Sequence, residues 1–169
     1  MGVSITASSR MILVPEDGND RDWHYDHDHE WAFVLDGCEK SAAGLELNRW
    51  YAPTPETDSS RICSMSYGRY NVWREHLSRS VLGATPHEVW ADPDAYADRP
   101  FFELINFADN EGTIGPVSAG DLLADFADGK NRDLYLIGVP EGAETRWGRI
   151  YDAWTGLELA ADGGMVAFA

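Results

Sequence analysis

Apolar residues recur along this chain with two different periods. From Tyr67 to Leu82, the residues Tyr70, Trp73, Leu77 and Val81 fall on one face of an α-helix. Ser66 precedes the run as a plausible N-cap and Gly83 follows it as a stop. A second helix is expected from Ser118 to Asp128. Ser118 would open it with Asp121 three residues on, Leu122, Leu123 and Phe126 would supply its apolar face, and Gly129 would close it. A third is expected from Glu144 to Ala161, where Trp147, Ile150, Tyr151, Trp154, Leu157 and Ala161 trace a stripe. Asp162-Gly163-Gly164 then ends it in a left-handed turn.

The remaining apolar runs are shorter. Val3, Ile5 and Met11-Ile12-Leu13-Val14 read as extended structure with a polar break at Ser8-Ser9-Arg10, and Pro15 ends it. Trp31 to Leu35 fits a short buried strand closed by the Asp36-Gly37 turn. Met165 to Phe168 is expected as a terminal strand. Ser41 to Asn48 follows neither period. Phe101 to Phe107 fits a buried strand or a short helix equally well, because an apolar run alone does not separate them. Leu134 to Val139 reads as a strand or a helix end. Pro86 to Pro100 is loop-like, with a turn of helix at Glu88-Val89-Trp90. Tyr51 to Ser60 carries Pro53 and Pro55 and is expected as a loop, marking the edge of a possible N-terminal subdomain, 1–60. The sum is an α+β fold: one compact domain with about three main helices packed on a small, mostly antiparallel sheet.

Composition narrows the classes of function. The chain has 169 residues, 44% of them apolar and 12% aromatic, which is enough for a self-sufficient core and too apolar for disorder. Acidic residues number 29 against 13 basic ones, for a net charge of −16. Such a field repels nucleic-acid phosphates and anionic membranes and attracts basic partners. Simple solubility explains the same balance. No run approaches the length of a membrane span, and the first residues lack the pattern of a secretory signal. A cytoplasmic protein is expected, with Cys38 and Cys63 reduced.

Several clusters offer chemistry. His24, Asp26, His27 and His29 are a metal-like set, though their order matches no known zinc motif and a further ligand such as His76 or His87 would be required. A solvated acidic loop accounts for them as well, so no cofactor is expected. Asp109 and Glu111 would pair carboxylates if they did not simply form a turn at Gly112. Arg69 and Arg74, with Arg79, would grip a phosphate or carboxylate if they shared a face; pairing with nearby acids is the commoner use of such residues. Trp73, Trp147 and Trp154 lie on helical stripes and belong to the core. Trp23, Tyr25, Trp50 and Tyr51 lie in loop-like contexts, where exposure would suggest a binding surface. There is no nucleophile elbow, phosphate-binding loop or dinucleotide fingerprint.

Three segments resemble one family. They are Ser66-Tyr67-Gly68-Arg69-Tyr70-Asn71-Val72-Trp73-Arg74-Glu75, Glu103-Leu104-Ile105-Asn106-Phe107 through Ile114-Gly115-Pro116, and Leu157-Glu158-Leu159-Ala160-Ala161-Asp162-Gly163-Gly164. The family is a set of small proteins from bacteria and tailed phages with no established activity. The matched blocks cover roughly the last hundred residues. The resemblance implies a phage or prophage accessory protein, a class that includes inhibitors of host defence.

With the acidic balance, this leads to a leading expectation. The chain is a non-enzymatic binding protein that neutralises a basic host protein, with Asp92, Asp94, Asp98, Asp109, Glu111, Asp121, Asp125 and Asp128 forming an acidic surface that imitates a nucleic acid. Two alternatives stand beside it. One is a small-molecule or metal-dependent site built on the His24–Glu30 cluster or on Asp109 and Glu111. The other is a virion accessory subunit.

Overall fold

The computed structural model describes residues 2–15, 32–34, 40–106 and 112–168. Its strands, in chain order, are β1 (Gly2–Ser8), β2 (Ile12–Leu13), β3 (Ala32–Val34), β4 (Arg49–Ala52), β5 (Ser59–Ser66), β6 (Gly112–Ile114) and β7 (Met165–Phe168). The helices are α1 (Tyr67–Leu82), α2 (Pro86–Ala91), α3 (Phe102–Ile105), α4 (Pro116–Ala127), α5 (Gly129–Ile137), α6 (Glu144–Ala153) and α7 (Leu157–Ala161). The fold is α+β. One antiparallel sheet has the order β5-β1-β7-β6, and a smaller antiparallel sheet has the order β2-β4-β3.

Alternation in β1 explains how the main sheet meets the helices. Val3, Ile5 and Ala7 are buried and the residues between them are half-exposed. Helices α1, α4 and α7 pack on this sheet, and a 3-10 turn at Trp154–Gly156 packs on β5. Trp73 of α1 stacks on Trp154 at 5.3 Å between centroids, and Trp154 stacks in turn on Phe126 of α4 at 5.4 Å. These three flat side chains tie the helical layer together through offset aromatic packing. Beneath the small sheet lies a second cluster of Met11, Val34, Ala42, Tyr51 and Met165. Met165 belongs to β7, so this cluster also rests on the main sheet.

Helix α1 has the bounds its apolar spacing predicts. The Ser66 hydroxyl accepts from the Arg69 N–H, and Gly83, at φ 70°, returns its N–H to the Arg79 carbonyl. The turn expected at Glu88–Trp90 is the centre of α2, which opens with a capping box between Thr85 and Glu88. The ambiguous run after Pro100 is the short helix α3, and Leu134 onward is the end of α5.

Two helices differ from expectation. Helix α4 opens at Pro116 and not at Ser118, since proline suits the first helical turn. Ser118 is 2% exposed and turns its hydroxyl to the Lys40 carbonyl. Gly129 does not close α4; Asp128 ends it and caps α5 by accepting the Lys130 N–H at 2.9 Å. The stripe from Glu144 to Ala161 is not one helix either. The 3-10 turn at Trp154–Gly156 divides it, and Gly156 passes close to Ile62 of β5. The apolar face continues through the division, which is why periodicity reads it as unbroken.

Within 51–60, expected as a loop, β4 ends at Ala52 and β5 begins at Ser59. The motif at Ile114-Gly115-Pro116 is a packing device. A Cβ on Gly115 would collide with the carbonyl oxygens of Ala43 and Ala42. Absence of a side chain there lets segment 40–44 lie against the start of α4, where the Gly115 N–H donates to Ser41 and the Val117 N–H to Ala43.

Candidate acidic interface

Asp121 and Asp125 lie one turn apart on the same side of α4, and Asp128, the residue that ends the helix, follows three positions on. Glu103 of α3 stands next to this row. Burial raises the Glu103 carboxyl above the usual carboxylate range, and the charges of Asp121 and Asp125 raise it further, while its own backbone N–H and Lys40 pull it down. Asp125 is raised for the same reasons: burial first, then Asp121 and Asp128. Its carboxylate accepts the Phe101 N–H at 2.7 Å, which opposes that rise. Glu103 and Asp125 thus each have two further carboxylates as neighbours: Asp121 and Asp125 for Glu103, and Asp121 and Asp128 for Asp125.

Asp94 is linked to these acids through Lys40, whose charge acts on Glu103. It lies in a 3-10 turn (Pro93–Ala95) and faces the Lys40 ammonium at 3.8 Å. Lys40 Nζ also stands 5.2 Å from the centre of the Phe102 ring. Asp92 and Asp98 are exposed on the same 92–98 segment, Asp92 ending α2. Asp109 and Glu111 lie outside the described residues. Glu103 and Lys40 escape a reading of acidic density: Glu103 is a lone acid inside an apolar run, and Lys40 is distant in sequence.

The other candidates separate. His24, Asp26, His27 and His29, together with Trp23 and Tyr25, lie outside the described residues. Among those described, no three His, Cys, Asp or Glu side chains converge as a metal would require. His76 donates its Nε2–H to the Tyr135 carbonyl at 2.7 Å and sits edge-on to Tyr135 and Trp147; His87 is exposed on α2. The arginines of α1 do not share one face. Arg69 is exposed on the first turn and Arg79 pairs with Glu75 at 2.9 Å. Arg74 is 4% exposed, bonds Asn71, and packs over the Tyr70 and Trp90 rings. Trp50 is 47% exposed whereas Tyr51 is buried, as alternation in β4 dictates. Cys63 is a free thiol pushed up to about 11 by burial, which leaves it protonated and poorly nucleophilic at neutral pH.

Among the described residues no helix is long and apolar enough to cross a membrane. No family model, characterised protein or solved structure matches the chain.

Proposed function

We propose that the protein is a binding protein that captures a basic partner on the ridge formed by Glu103, Asp121, Asp125 and Asp128, extended by Asp94. The observation that carries this reading is the placement of Glu103 on α3 against α4, beside Asp121 and Asp125 one turn apart on that helix, with the Glu103 and Asp125 carboxyls raised by burial and by these neighbours. Both are partly buried carboxylates that keep like charges as neighbours, an arrangement unfavourable to the fold in isolation. An approaching Lys or Arg relieves that repulsion, so binding gains what folding loses. The net charge of −16 supplies long-range attraction to the same class of partner.

A row of carboxylates on a helix offers a basic groove the charge that a nucleic-acid backbone would offer it. Together with the motif resemblance to bacterial and tailed-phage proteins, this favours a phage or prophage inhibitor that occupies the nucleic-acid groove of a host protein. The test is capture from host lysate by the wild-type protein and by D94K/D121K/D128K, which leaves the Asp125–Phe101 contact intact. The reading requires a partner that the wild type holds at low salt, that duplex DNA displaces, and that the variant fails to hold. Equal capture by the folded variant refutes it.

A further inference from the structure

We propose that Lys40 is an internal counter-ion seated on the acidic ridge, which a basic partner must displace in order to bind. The inference rests on the ridge being the binding surface. Its basis is the way the main chain fixes Lys40. The Ser118 hydroxyl donates to the Lys40 carbonyl at 2.8 Å, the Gly115 N–H to Ser41 at 2.8 Å, and the Val117 N–H to Ala43 at 3.1 Å. Ser118 is almost fully buried, and the close approach at Gly115 admits no side chain. The root of the Lys40 side chain is thus pinned to the first turn of α4, the helix that carries the acids.

From that root the ammonium reaches the Phe102 ring face and Asp94, and its charge acts on Glu103. A cation between an aromatic face and carboxylates is in the setting that a partner's Lys or Arg would seek. The seat is easily vacated. Side-chain exposure is 54% at Lys40 and 95% at Asp94, and exposed pairs are weakly held. An intramolecular ligand that occupies a site part of the time lowers the apparent affinity for any external one by that fraction. Lys40 thereby competes with any external cation, and an array of cations displaces it more readily than a single one.

The test uses octalysine as the probe, with the full chain at low salt. K40Q is compared with R10Q, which removes the same charge from the exposed Arg10–Asp162 pair. K40Q is expected to bind octalysine about two- to fivefold more tightly than R10Q, the scale of an exposed cation–ring contact. Equal affinities overturn the proposal. A second readout needs no ligand: by NMR titration, the Glu103 carboxyl moves higher in K40Q and stays in place in R10Q. An unmoved Glu103 in K40Q overturns the contact itself. The ridge reading fails separately, if D94K/D121K/D128K binds octalysine as the wild type does.

Discussion

The Asp125 carboxylate accepts the backbone N–H of Phe101 at 2.7 Å, and Phe101 is in the left-handed region at φ 61°. A bulky residue is disfavoured in that region by about 1–2 kcal/mol. Phe101 nevertheless has its ring fully buried against Phe126 and Tyr151 and uses its carbonyl to open α3. The acid therefore has two duties: it belongs to the ridge and it holds the turn that places Glu103.

Replacing Asp125 separates these duties. D125N keeps an oxygen able to accept the Phe101 N–H and should leave stability within about 1 kcal/mol of wild type. D125A removes the acceptor from a partly buried amide and should cost about 1–3 kcal/mol. Urea unfolding of the two variants checks the difference.

Stability should respond to pH in an unusual direction through Glu103. Its native carboxyl titrates above its unfolded value, so the folded chain binds a proton more readily than the unfolded one. That contribution destabilises the fold at neutral pH and is relieved as pH falls through the native value towards the unfolded one. E103Q should therefore be more stable than wild type at pH 7, with the advantage shrinking as the solution is acidified into the carboxylate range. Thermal unfolding of both proteins across that range measures it. A constant difference at every pH would contradict the electrostatic cause.

Two buried tyrosines give opposite expectations. Tyr135 accepts the Trp73 indole N–H at 3.1 Å and donates to the Trp147 carbonyl at 3.2 Å. Y135F strands the indole N–H in the core and should destabilise by about 1–3 kcal/mol. The Tyr151 hydroxyl is buried with no hydrogen-bond partner among the described residues. Y151F should be neutral or stabilising by up to about 1 kcal/mol, since it removes an unsatisfied group. Denaturant midpoints of both variants decide the matter.

Two glycines make a similar contrast. G115A forces a Cβ against the Ala42 and Ala43 carbonyl oxygens and should cost more than about 2 kcal/mol or prevent folding. Gly120 lies inside α4 with open space at its Cβ position, so G120A should stabilise by about 0.5–1 kcal/mol. Melting temperatures moving in the same direction would be inconsistent with this account.

Legibility in the sequence follows from how local each signal is. Helix α1 is readable because its cap, stripe and terminating glycine all lie within its own span. Strand β5 is not. Its sequence Ser59-Ser60-Arg61-Ile62-Cys63-Ser64-Met65-Ser66 is serine-rich, and the pairing with β1 shifts register between Ile5 and Thr6, so alternation is broken. Strand β4 is hidden by its shortness and by Pro53. Ser118 resembles a helix cap because its type suits one, yet its partner is the carbonyl of Lys40, far away in the chain. The acids of α4 are visible as helical spacing. Their coupling to Glu103 and Lys40 depends on tertiary contact and leaves no local trace.

Strand β7 lies between β1 and β6, and it pairs Ile5 with Phe168 and Ile114 with Val166. During synthesis, β1 and β5 become available early, but β6 has nothing to join in that sheet until 165–168 have left the ribosome. The helices that bury their apolar faces on this sheet must wait beside an incomplete surface, with Met165 also missing from the cluster under the small sheet. The nascent chain thus passes through a stage in which residues 2–164 are made and their shared core is still open, exposed to proteases and chaperones. Maturation is governed by the arrival of one short strand, so premature termination just before Met165 should yield a degraded product and not a truncated but working one.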